Sequence, residues 1–179
     1  MARLFIAIEL PDEIKETLSS FCCDLPGMRW VPTDQIHLTL RFLGDVQAKE
    51  TARLKEALAA IAFAPFPLTV QGVGHFPPHG QPRVLWIGLE ESRPLLELQQ
   101  GIETAVAGVG IVPEERRFSP HITIARIKEN ASAAVKLFEA KHRPLSFPPF
   151  TVNDFVLFSS VLSPNGATHR REETFRSRS

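Results

Sequence analysis

The hydrophobic pattern opens with an unbroken apolar run, Leu4-Phe5-Ile6-Ala7-Ile8, stopped by Pro11. A run that does not alternate predicts a central strand covered on both faces. Pro11-Asp12-Glu13 predicts a helix start, with proline and acids in the first turn. Ile14, Leu18 and Phe21 supply that helix with an apolar stripe, and Pro26-Gly27 ends the segment. Residues 30–33 read as an extended approach to a strand over 36–43, closed by Gly44. Asp45 is the expected N-cap of the next helix. Leu54, Leu58 and Ile61 form its apolar face, and Pro65 and Pro67 end it.

The pattern then predicts a strand over 68–73, a loop dense in Pro and Gly over 76–82, and a strong strand over 83–89. A helix from 94 to about 109 carries Leu95, Leu98, Ile102 and Val106 on one face. A charged approach, 114–118, leads to a strand over 121–127, and a helix follows over 131–141. Pro144, Pro148 and Pro149 make a stiff loop before a long strand over 151–162. Asn165-Gly166 is a hairpin turn signal, 169–175 is the returning strand, and 176–179 is a frayed end. Helices cluster between strand pairs rather than alternating one for one with strands. This predicts an α+β fold rather than a doubly wound parallel sheet.

Within this pattern two short stretches look like copies: His37-Leu38-Thr39-Leu40 and His121-Ile122-Thr123-Ile124. On a strand, residues i and i+2 share a face. His37 and Thr39 therefore point one way and Leu38 and Leu40 the other, into the core. The same holds for His121 and Thr123 over Ile122 and Ile124. The copies lie in opposite halves of the chain, each with a similar set of strands and helices around it. The simplest architecture has two pseudo-symmetric lobes, each an antiparallel sheet with helices outside, around a central cleft that both motifs line. The length, 179 residues, fits a single domain over 1–179.

Histidine is the side chain whose ordinary pKa, about 6.5, lies nearest neutral pH. Two of them across a cleft can hold opposite protonation states. One takes a proton from a nucleophile and the other gives one to a leaving oxygen. That suits in-line displacement at phosphorus, with the threonine hydroxyls on the non-bridging oxygens. Such a scheme needs no metal and no cofactor. His75 and His79 flank Pro77-Pro78 and so are not a helical ligand pair, and no cysteines have zinc spacing. His75, His79, His142 and His169 read as loop or surface residues. Gly72-Val73-Gly74 and Gly108-Val109-Gly110 lack the third glycine of a dinucleotide turn, and there is no phosphate loop with Gly-Lys-Ser/Thr.

Composition narrows the setting. Hydrophobic residues make up 44% and charged residues 22%, with zero formal net charge. This argues against a broad basic surface for long nucleic acid, and leaves room for a few donors around one terminal phosphate. Cys22 and Cys23 are adjacent and cannot tie distant segments together, so the chain is no disulfide framework. No signal peptide or stretch of roughly 20 apolar residues is evident. The expectation is a cytoplasmic monomer with no membrane association.

The motifs and their flanks resemble a known family. Arg3 to Ile8, His37-Leu38-Thr39-Leu40-Arg41-Phe42-Leu43-Gly44, Pro82-Arg83-Val84-Leu85-Trp86 and Pro120-His121-Ile122-Thr123-Ile124-Ala125-Arg126 are similar to the two-histidine phosphoesterase superfamily. The similarity is closest to its RNA 2′,3′-cyclic phosphodiesterases, also called 2′-5′ RNA ligases. The resemblance implies a bilobal α+β fold and metal-independent hydrolysis of RNA 2′,3′-cyclic phosphate ends to 2′-phosphates. It implies His37 as donor to the leaving 3′ oxygen, His121 as acceptor activating water, Thr39 and Thr123 on the phosphate, and Arg126 in substrate binding. Strict alternation puts Arg126 on the face opposite His121 and Thr123. A bulge or twist in the strand, or approach from the side, would reconcile the two. Arg41 has the parity to join His37 and Thr39. Phe5 or Phe42 could stack on a base, although burial statistics favour core packing for both. Ligation in the 2′-5′ sense, a small cyclic nucleotide substrate and a non-catalytic RNA-end binding module are the alternatives.

Overall fold

The computed structural model describes residues 2–21, 27–128 and 131–178. Its elements, in chain order, are β1 (Ala2–Glu9), α1 (Asp12–Ser19), β2 (Met28–Trp30), a 3-10 turn (Thr33–Gln35), β3 (His37–Val46), α2 (Ala48–Ala59), β4 (Phe66–Leu68), β5 (Val70–Phe76), β6 (Val84–Leu89), α3 (Arg93–Gly108), β7 (Ile122–Ile127), α4 (Ser132–His142), β8 (Phe150–Val152), β9 (Asp154–Ser163) and β10 (Gly166–Arg176). The α+β expectation holds. Two four-stranded antiparallel sheets, ordered β10-β9-β1-β3 and β2-β7-β6-β5, are joined by a small β4-β8 pair. Each sheet draws on both halves of the chain: β1 and β3 pair up with the C-terminal hairpin, and β2 crosses to edge the second sheet. Two similar lobes are present, with end strands exchanged between the halves.

Several boundaries move. Asp45 belongs to β3 and caps nothing; α2 begins at Ala48, after Gln47. The strand expected over 68–73 divides into β4 and β5, and β5 continues to Phe76. The long strand expected over 151–162 likewise divides into β8 and β9. Residues 177 and 178, read as part of a frayed end, are tied down: the Ser177 N–H donates to Asn153 O and the Arg178 N–H to Phe63 O, both at 2.7 Å. The expectations for Cys22, Cys23 and Pro26 lie outside the described residues.

β1 is covered on both faces, as its unbroken apolar run requires. Leu4, Ile6 and Ile8 enter the main core, while Phe5 and Ala7 join Val156 and Phe158 in a second cluster on the other face. Each fully buried large side chain contributes about 1.5–3 kcal/mol. α3 lies behind the first sheet, where Gln99 Nε2 donates to Leu40 O at 3.3 Å and Arg41 meets Glu103. α4 lies behind the second, with Phe138 on Trp30 at 5.8 Å between ring centroids and Glu139 on His75. Leu38, Leu40, Ile122 and Ile124 share the main core. β3 and β7 touch although they belong to different sheets. One core therefore sits beneath both motif strands.

Candidate active site

The alternation read from the motifs is present on both strands. Leu38, Leu40, Ile122 and Ile124 are buried, and His37, Thr39, His121 and Thr123 are half-buried on the opposite face. His37 lies within β3, and His121 immediately precedes β7.

Both strands then break alternation at the same place. In the β1–β3 register Ala7 faces Thr39 and Ile6 faces Arg41, so Leu40 is an extra residue. In the β6–β7 register Trp86 faces Thr123 and Leu85 faces Ala125, so Ile124 is extra. These are β-bulges, and a bulge shifts the parity of everything after it by one. Leu40 and Arg41 are consecutively buried, as are Ile124 and Ala125. Arg126 thus returns to the face of His121 and Thr123 and is exposed there. The bulge resolves the parity conflict in favour of the site.

The same bulge overturns the expectation for Arg41. It points into the core, 8% exposed, with Nε on Glu103 at 2.7 Å, Nη2 on Val112 O at 2.6 Å and Nη1 on Phe42 O. Phe42 takes the site-facing position and is 63% exposed, so core packing fails for it. For Phe5 core packing holds: it is 3% exposed and forms a floor, stacked on Phe158 at 5.1 Å and on His37 at 5.0 Å.

Each histidine ring is held by the backbone two residues upstream. His121 Nδ1 lies 2.7 Å from Ser119 O. A carbonyl can only accept, so Nδ1 carries a hydrogen, which in the neutral ring leaves the lone pair on Nε2. The Phe76 ring, 4.9 Å away between centroids and nearly perpendicular, packs against the same ring. His37 is hydrogen-bonded to the Gln35 backbone, which favours its charged form. Burial opposes this, reinforced by the positive potential of His169 and Lys15, and the net result is a pKa lowered to about 4.

His169 is the residue that pattern reading misses. It lies on β10 with its ring 5.5 Å from that of His37 and 4.8 Å from Phe5, and burial lowers its pKa while Asp34 opposes. A hairpin strand gives no local sign of which distant ring it will meet. Phe76, at the edge of a stretch whose Pro and Gly read as loop, escapes notice for the same reason. The other histidines lie elsewhere: His75 pairs with Glu139, His142 packs on Phe21 and Phe138, and His79 is exposed. Arg29, opposite Arg126 on the neighbouring strand, adds a second exposed cation to that face. Among the described residues no three or more His, Cys, Asp or Glu come together in a group that could hold a metal ion. No helix among them is long and apolar enough to cross a membrane.

Comparison with known proteins gives a consistent assignment. The LigT-like phosphoesterase family model matches residues 8–86 and again 87–169, one copy for each motif. An RNA 2′,3′-cyclic phosphodiesterase of Archaeoglobus fulgidus is 32% identical over 97% of this chain and 99% of its own length. One of Thermotoga maritima is 35% identical over 94% and 91%. Among solved structures, TT0787 of Thermus thermophilus superposes with a TM-score of 0.83 at 32% identity, covering 97% of each chain. E. coli LigT complexed with 3′-AMP gives 0.80 at 28%, covering 99% of each. With two matched copies spanning most of its length, the chain belongs to the LigT-like phosphoesterase family.

Proposed function

We propose that this protein hydrolyses the 2′,3′-cyclic phosphate at an RNA end to a 2′-phosphomonoester, without metal, using His37 and His121 as an acid/base pair. The observation that carries the reading is the matched pair of bulged strands. Each presents a histidine, a threonine and a further side chain on one exposed face over a shared core. The names borne by the relatives support the substrate class.

His121 Nε2, left free by the bond from Nδ1 to Ser119 O, takes a proton from water. The oxygen attacks phosphorus in line, the bond from phosphorus to O3′ breaks, and His37 delivers its proton to O3′. The products are a 2′-phosphomonoester and a free 3′-hydroxyl. Thr39 and Thr123 donate to the non-bridging oxygens, and Arg126 neutralises the charge that gathers there. Phe42 offers an exposed ring for the terminal base.

The lowered pKa leaves His37 neutral in the empty protein at pH 7. A donor must be charged, and the phosphodiester anion is what charges it. An anion within about 4–6 Å favours the protonated ring and offsets the cost of burial. Substrate binding thus raises the fraction of His37 that carries the proton. The reading takes residues 1–179 as one bilobal domain, with the site complete in a single chain acting as a cytoplasmic monomer.

The test is incubation with RNA bearing a 2′,3′-cyclic phosphate, in excess chelator, with identification of the product isomer. A 2′-phosphate is expected. His37→Ala and His121→Ala should each lower the rate roughly 10²–10⁴-fold with the fold retained. Near-normal activity in either variant, or dependence on added metal, would overturn the reading.

A further inference from the structure

Trp86 is used by nothing described so far, yet its neighbours are built around it. It faces Thr123 directly across the β6–β7 register and so shares the site face. On its other side it faces Gly74 of β5. A Cβ added at Gly74 would lie 2.3 Å from Trp86 Cζ2, and one at Gly88 would lie 3.3 Å from Cζ3. The indole therefore lies flat across the sheet, on backbone that only glycine leaves bare. Its Nε1 is buried without a hydrogen-bond partner among the described residues.

That ring lines a shallow cavity of about 510 Å³, largely open to solvent, whose far wall is the Arg143–Ser146 segment. The segment continues the sheet beyond β5: the Gly72 N–H donates to Leu145 O and the Phe147 N–H to Val70 O, both at 2.9 Å. The volume falls in the range of small-ligand sites, about 300–1,000 Å³. Its chemistry is mixed: an aromatic plane on one side, and Gln71, Ser146 and the exposed guanidinium of Arg143 on the other. Strands are spaced by about 4.8 Å, so the indole begins one spacing from Thr123, and the cavity is lined on the side away from Thr123 by β5 and the Arg143–Ser146 segment. A flat ring, a cation and amide and hydroxyl groups beside a phosphate site match a nucleotide.

We propose that Trp86 and this cavity bind the nucleotide preceding the one that carries the cyclic phosphate. The base stacks on the indole and Arg143 meets the backbone phosphate, so the protein grips the last two nucleotides of an RNA end. The inference rests on the function proposed above and sharpens its substrate from a cyclic phosphate to a chain terminus.

The test compares kcat/KM for a 2′,3′-cyclic mononucleotide with that for a dinucleotide ending in a 2′,3′-cyclic phosphate. The wild-type protein should prefer the dinucleotide by roughly tenfold or more, the scale of one stacked base. Trp86→Leu should erase most of that preference. Gly74→Ala keeps the indole and pushes it off the sheet, and should act in the same direction. Arg143→Gln, at an exposed site where folding is not at stake, should lower the preference several-fold and flatten its salt dependence. No preference in the wild type, or variants that slow both substrates in equal proportion, would overturn the proposal. If neither substrate is hydrolysed, the proposed function fails. The subsite is then judged by tryptophan fluorescence: a 2′-phosphate-terminated dinucleotide should quench the wild type and not Trp86→Leu, which retains only Trp30, packed against the hydrophobic core. Equal quenching of both would reject the subsite.

Discussion

Phe42 and Arg126 stand at equivalent points of two strands in different sheets. Each comes five residues after a motif histidine and two after the extra residue of a β-bulge. The pseudo-symmetric frame thus presents an aromatic ring from one lobe and a guanidinium from the other. One suits a base and the other a phosphate, so the two variants should separate. Phe42→Ala should raise KM for a nucleotide substrate roughly tenfold and leave kcat less affected, as expected for a lost stacking partner. Arg126→Gln should act mainly on kcat, by roughly 10²-fold, as expected where charge develops in the transition state. Steady-state kinetics on a cyclic mononucleotide checks both, and identical profiles would refute the division of labour.

The threonines face the same site as their histidines and make a narrower prediction. Thr39→Val and Thr123→Val keep shape and β-propensity and remove one hydroxyl each. Each should lower kcat about tenfold with thermal stability nearly unchanged. A fall in melting temperature that accounts for the lost activity would assign them to structure instead.

Arg41 and Glu103 should matter for stability rather than chemistry. Arg41 is buried, 8% exposed, its partner Glu103 is half-buried, and each holds further bonds, Arg41 to Val112 O and Glu103 from Gln99 Nε2 at 3.1 Å. Removing one partner of such a pair leaves a buried charge and costs about 3–5 kcal/mol. Glu103→Ala should therefore lower the midpoint of denaturant unfolding markedly, with KM little changed for the molecules that remain folded.

His37 and His169 give a pH dependence with a definite sign. The folded-state pKa of His37 is lowered to about 4 from 6.5, so between those values the unfolded chain binds the extra proton. Stability is whole above about 6.5 and is lost as pH falls toward 4, by at most about 3 kcal/mol. His37→Phe should abolish that part of the acid sensitivity. His169→Phe removes a positive neighbour and should raise the His37 pKa, seen as a shifted imidazole titration by NMR. An unshifted titration would remove His169 from any role in tuning His37.

Much of this protein is legible locally. The unbroken run at Leu4 to Ile8 requires a strand buried on both faces, and β1 is one. The alternation in His37-Leu38-Thr39-Leu40 and His121-Ile122-Thr123-Ile124 requires histidine and threonine on one face, because the aliphatics can only go inward. The apolar stripe at Leu95, Leu98, Ile102 and Val106 is α3. These features follow from the geometry of a single segment and the preference of apolar groups to leave water.

What lies beyond one segment belongs to the tertiary structure. Whether Arg41 or Phe42, and Ala125 or Arg126, faces the site depends on a bulge, and a bulge exists only in the pairing of two strands. Local alternation chooses the wrong residue in the first motif and leaves Arg126 unexplained in the second. The approach of His169 to His37, the packing of Phe76 against His121, and the indole of Trp86 over Gly74 each join residues far apart in sequence. They are decided by sheet order and register, which only the folded core sets.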